Sequence, residues 1–111
     1  METINHRNLV DKFGGQAIAR QICQIFLEES PELVREYREL ESGNLEDIAA
    51  SAHRLKGSLG MLEQGLSRVA GSLERACLQG NRERARALYQ RLDRGLDTLR
   101  RELEVFVAQT A

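Results

Sequence analysis

Apolar residues recur along most of the chain at offsets of three and four, the spacing that lines one side of an α-helix. A leading segment carries Ile4, Leu9, Val10 and Phe13 before Gly14-Gly15. A first sizeable helix with Ile18, Ile22, Ile25 and Phe26 facing inward is then predicted to about Glu29. Ser30-Pro31 reads as the N-cap and first-turn proline of a further helix carrying Leu33, Val34, Tyr37 and Leu40 and ending at Gly43. Asn44 caps the next helix, with Glu46 and Asp47 in its first turn and Ile48, Ala52, Leu55, Leu59 and Leu62 as its buried stripe. A turn around Glu63 to Gly65 leads to Leu66, Val69, Leu73, Ala76 and Cys77, closed by Gly80. Asn81 caps a last helix with Leu88, Leu92, Leu96, Leu99, Leu103, Phe106 and Val107. Short connections make neighbouring helices antiparallel. The expected fold is all-α, an up-and-down antiparallel four-helix bundle with an additional N-terminal helical segment, residues 1–111 forming one domain.

Composition supports that class and narrows the function. With 111 residues, one proline and 5% aromatic residues, the chain is large enough for a single core and poor in strand formers. The net charge of -1 offers no general attraction to nucleic acid, and the arginines of the last helix, without interleaved aromatics, read as a solvated face. Cys23 and Cys77 are far apart and sit in apolar patterns, so they read as small core residues and not as a redox or metal pair. No apolar run approaches the roughly 20 residues that span a bilayer, nor does the N-terminus resemble a signal peptide. A cytoplasmic, monomeric protein that contacts neither membrane nor nucleic acid is expected.

The chemistry gathers at Ala52-His53-Arg54-Leu55-Lys56-Gly57-Ser58. At about 100° per residue, His53 lies beside the buried stripe, with Lys56 and Gly57 one turn further on. The imidazole should be steadied by packing yet reachable from solvent. Each glycine in a helix costs roughly 1 kcal/mol relative to alanine, so Gly57 and Gly60 call for compensation. A partner's approach to bare backbone would supply it, as would close helix packing at Gly57 or a loosened helix end at Gly60. A metal site would need more ligands than His53 offers, since His6 lies far off in the N-terminal segment and no HxxxH or HExxH pattern occurs. Ser58 points away from His53, which argues against a hydrolytic triad. An imidazole that attacks a phosphoryl group, with Lys56 offsetting charge on its oxygens, suits the residues better. Arg54 is a solvent or partner contact. No phosphate-binding loop, kinase signature or Mg²⁺-binding carboxylate cluster accompanies His53, so nucleotide and metal would belong to a partner.

The stretch Ala52 to Ser58 resembles the A-H-x-L-K-G-S pattern of the histidine-containing phosphotransfer (HPt) family. The likeness extends back through Phe26-Leu27-Glu28-Glu29-Ser30-Pro31-Glu32-Leu33 and forward to Leu73-Glu74. It implies a phosphocarrier, not an enzyme, in a two-component phosphorelay, with His53 exchanging a phosphoryl group with an aspartate of a receiver domain or accepting it from a hybrid histidine kinase. No cofactor of its own is implied, and Mg²⁺ is expected on the receiver. Lys56 would steady the phosphoryl oxygens, while Arg54, Gly57 and Gly60 would belong to the docking face. Glu74 would hydrogen-bond and orient the imidazole, or else be an ordinary surface carboxylate near Arg68 or Arg75. The chain departs from the family pattern at Leu59-Gly60-Met61-Leu62-Glu63-Gln64, and its His53 to Leu73-Glu74 spacing is one residue short. Leu59 and Met61 read as core, or else as an exposed apolar contact for a partner. A phosphorylation-independent helical adaptor and the kinase-substrate domain of a chemotaxis-type sensor are the competing readings.

Overall fold

A computed structural model describes residues 6–37 and 43–110, with side chains for 8–31 and 43–110. Five helices follow in chain order: α1 His6–Phe13, α2 Gln16–Tyr37, α3 Leu45–Leu59, α4 Gln64–Leu78 and α5 Arg82–Gln109. Gly14 and Gly15, with φ of 77° and 154°, turn the chain between α1 and α2 through backbone conformations that side chains resist. Asn44 accepts a hydrogen bond from Glu46 N at 2.7 Å and starts α3, and Asn81 accepts one from Arg84 N at 3.1 Å and starts α5. Gly80, at φ 73°, closes α4 as its pattern predicts.

One predicted boundary is absent. α2 continues through Pro31, so Ser30-Pro31 does not begin a helix. A proline inside a helix costs about 3 kcal/mol and leaves the carbonyl four residues earlier without its N–H donor. Against that, Ala19, Cys23, Phe26 and Ser30 are all buried at offsets of four, three and four, so the inward stripe runs unbroken to the proline, which itself faces solvent. Phe26, the large apolar side chain of that stripe, contributes about 1.5–3 kcal/mol on burial, which offsets most of the cost of the proline. The two predicted helices are therefore one, leaving α2 to α5 as the four long helices of an all-α bundle. Leu33, Val34, Tyr37, Leu40 and Ile4 lie outside the described side chains.

Sequence-adjacent helices pack together, and α2 closes the ring against α5. The pairings run antiparallel: Arg20, near the start of α2, donates from Nε to the carbonyl of Val107, near the end of α5, at 3.2 Å. The longest dimension, 42 Å, is the length expected of the 28-residue α5 at 1.5 Å per residue. Leu55, Leu59, Leu73, Leu92, Leu99 and Leu103 are each 0% exposed and form the centre of the core. Cys23 and Cys77 are buried free thiols within it.

Candidate functional site

The rotation of α3 is set by Ile48, Ala52, Leu55 and Leu59, all buried, and this turns the next residue after Ala52 outward. His53 is 67% exposed at its side chain. It is reachable, as expected, and a carboxylate from α4 steadies it. Nδ1–H donates to both oxygens of Glu74, at 3.1 Å and 3.0 Å, and the Glu74 side chain is only 21% exposed. A carboxylate accepts and cannot donate, so the proton stays on Nδ1. In the neutral ring the lone pair is then on Nε2, with two-thirds of the side chain open to solvent.

Glu74 reaches His53 because α4 is fastened to α3 at the turn between them. Glu63 N-caps α4 through Gly65 N at 2.8 Å and Leu66 N at 3.1 Å, and Ser67 Oγ–H donates to the carbonyl of Lys56 at 2.9 Å. Leu73, fully buried, then holds the rotation that leaves Glu74 at the α3 seam. One turn along, the Lys56 stem lies over Gly71 of α4. A Cβ built on Gly71 would stand 3.4 Å from Lys56 Cδ and 3.6 Å from Cε. Among the described residues no carboxylate pairs with the Lys56 ammonium.

Gly57 is exposed, and a Cβ there would meet nothing within 4 Å. Packing inside this chain therefore does not require the glycine. Gly60 is different: it is the C-cap of α3, half-buried, and an added Cβ would touch Lys56 O and Gly57 O at 3.5 Å and Ser67 Oγ at 3.8 Å. It borders the α4 seam at the helix end. Arg54 lies on the other flank of α3, where Nη2 donates to Ser51 Oγ at 3.3 Å. Leu59 is core as expected, whereas Met61 is not. The chain turns after Leu59, leaving Met61 50% exposed beside Ile22, Ile25 and Phe26 of α2, where it lines a shallow apolar cleft. Ile18 and Ile25, expected to face inward, are 51% and 45% exposed on the same helix. Both sit one position off the buried stripe of Ala19, Cys23 and Phe26.

Sequence reasoning missed Ser67 and Gly71. Their signal was present, for Ser67, Gly71 and Glu74 repeat on α4, in reverse, the three-four spacing of His53, Lys56 and Gly60 on α3. No group of three or more His, Cys, Asp or Glu among the described residues could hold a metal ion. Nor is any helix among them long and apolar enough to cross a membrane.

The described residues form a helical bundle with a carboxylate-anchored imidazole on an exposed helix face. The Hpt domain family model matches residues 21–102, and the chain belongs to that family. Hpt domains are phosphocarriers of histidine phosphotransfer in phosphorelays, where they meet receiver domains and histidine kinases. Searches of curated proteins and of solved structures return no significant match.

Proposed function

We propose that His53 is the phosphoryl-carrying residue of this Hpt domain and that it exchanges its phosphoryl group with an aspartate of a receiver domain. The observation that carries this reading is the pairing of an exposed ring with a carboxylate on Nδ1. The Nε2 lone pair attacks the phosphorus of the aspartyl phosphate. An N–P bond forms, the bond from phosphorus to the aspartate oxygen breaks, and its electron pair leaves on the aspartate carboxylate. The ring gains positive charge in this step, and Glu74 offsets it through the Nδ1–H bond. The reverse step returns the group by the same path.

Lys56 supplies a cation for the phosphoryl oxygens, its stem bedded on Gly71 and its ammonium in solvent. Gly57 leaves the partner room to approach the ring, and Arg54 and the apolar cleft at Met61 extend the contact area along α3 and α2. The receiver brings the Mg²⁺ and the acceptor aspartate. The test is incubation with a phosphorylated receiver, which should leave an acid-labile, alkali-stable phosphoryl group on the chain. His53→Gln should abolish it. Transfer that persists in His53→Gln removes His53 from the mechanism.

A further inference from the structure

Lys56 shares Gly71 with a second cation. Arg75 folds back along α4, donating from Nη2 to Ser72 Oγ at 3.0 Å, and this sets its Nη1 over the same glycine. The Cβ position of Gly71 is 3.4 Å from Lys56 Cδ and 3.7 Å from Arg75 Nη1. A lysine stem and a guanidinium thus meet over one patch of bare backbone, one turn along α4 from Glu74. Both side chains are cationic, and bedding their stem and guanidinium on one glycine leaves two like charges within reach of a single anion. Among the described residues no carboxylate pairs with either, and Glu74, adjacent to Arg75 in sequence, is taken up by His53. The present partner of Arg75, a neutral serine hydroxyl at an exposed position, is a weak hold.

We propose that Arg75 is a second phosphoryl-binding residue of this site. When His53 carries a phosphoryl group, the guanidinium leaves Ser72 and joins the Lys56 ammonium on the phosphoryl oxygens. The inference rests on His53 being the carrier. A phosphoryl group brings up to two negative charges and three acceptor oxygens, more than one ammonium satisfies, and the planar fork of an arginine suits two of those oxygens at once. The unphosphorylated site then holds its second cation in reserve beside the first, attached by a bond that is easily exchanged.

The test loads His53 with phosphoramidate, a small phosphoryl donor that needs no protein partner, and follows the phosphohistidine by ³¹P NMR across pH. A cation on the oxygens favours the dianion, so Arg75→Gln should raise the second ionisation of the phosphoryl group by about half a pH unit in low salt. The shift should shrink as salt is added. Lys56→Gln should move it the same way. Arg68→Gln, an exposed α4 arginine without a place over Gly71, should leave it unchanged. An Arg75→Gln titration that coincides with the parent overturns the role of Arg75, as does an equal shift in Arg68→Gln, which would reduce the effect to net charge. If His53 does not take the phosphoryl group at all, the carrier reading fails and this inference with it. If the loaded protein shows the Arg75 shift yet exchanges with no receiver, only the relay reading fails.

Discussion

Gly57 allows stability and function to be separated in one substitution. It lies in the last turn of α3 with ordinary helical backbone, and a methyl group added there would meet nothing within 4 Å. Gly57→Ala therefore removes the flexibility cost of glycine in a helix without adding a clash, which stabilises by about 0.5–1 kcal/mol. For a chain of 111 residues the unfolding entropy makes this a rise of about 2–4 °C in Tm, readable by circular dichroism. On the proposed function, a receiver approaches His53 across the face where this methyl group stands. Overpacking a close contact costs about 1–3 kcal/mol, equivalent to roughly 5- to 150-fold in the rate of transfer. The expected result is a more stable protein that transfers more slowly, with Gly57→Gln slower still. Transfer at the parental rate in both variants would refute the docking role of Gly57, and a lower Tm in Gly57→Ala would refute the open space around it.

Pro31 faces solvent inside α2, so Pro31→Ala restores one helix hydrogen bond and should stabilise by about 1–3 kcal/mol in urea unfolding; a loss would mean that a helix starts there after all. Glu74→Gln keeps the shape of the carboxylate, yet its amide can donate to Nδ1 and hold the other tautomer. Receiver transfer should slow by about tenfold and the ¹⁵N shifts of the ring should report the change, whereas unchanged shifts would dissociate Glu74 from tautomer choice. Burial pushes the Cys23 thiol up from 9.0 to about 11. The unfolded chain therefore loses this proton at lower pH than the folded one. Cys23 favours the fold fully below about pH 9, and stability should fall between about pH 9 and 11 by about 2–3 kcal/mol, a decline that Cys23→Ala should lessen.

The bundle was legible because its helices announce their starts with Asn44 and Asn81, their ends with Gly14-Gly15 and Gly80, and their inward faces with three-four apolar spacing. The error at Ser30-Pro31 arose because a proline signal is local, while the buried stripe from Ala19 to Ser30 acts over about three turns of α2. At Ile18 and Ile25 the apolar character was real and the face was wrong. Ala19 and Cys23, smaller and one position away, take the inward places and let the helices approach.

The position of Glu74 looked ambiguous only when counted from His53 alone. Two antiparallel helices joined by a tight turn pair residues symmetrically about the middle of that turn, here between Glu63 and Gln64. His53 then meets Glu74, Lys56 meets Gly71 and Gly60 meets Ser67, which are the three contacts found along the seam. A connection one residue shorter than the family pattern moves the midpoint by half a residue and the partner of a fixed His53 by one full position, the shift seen in the spacing. One residue inserted between Gly60 and Glu63 lengthens the turn and the count to Glu74 together, so His53 should still meet Glu74, and receiver transfer and the ring's ¹⁵N shifts should stay near the parent's. Loss of both would mean that the turn cannot absorb a residue and that its length, and not the packed faces of α3 and α4, sets the register.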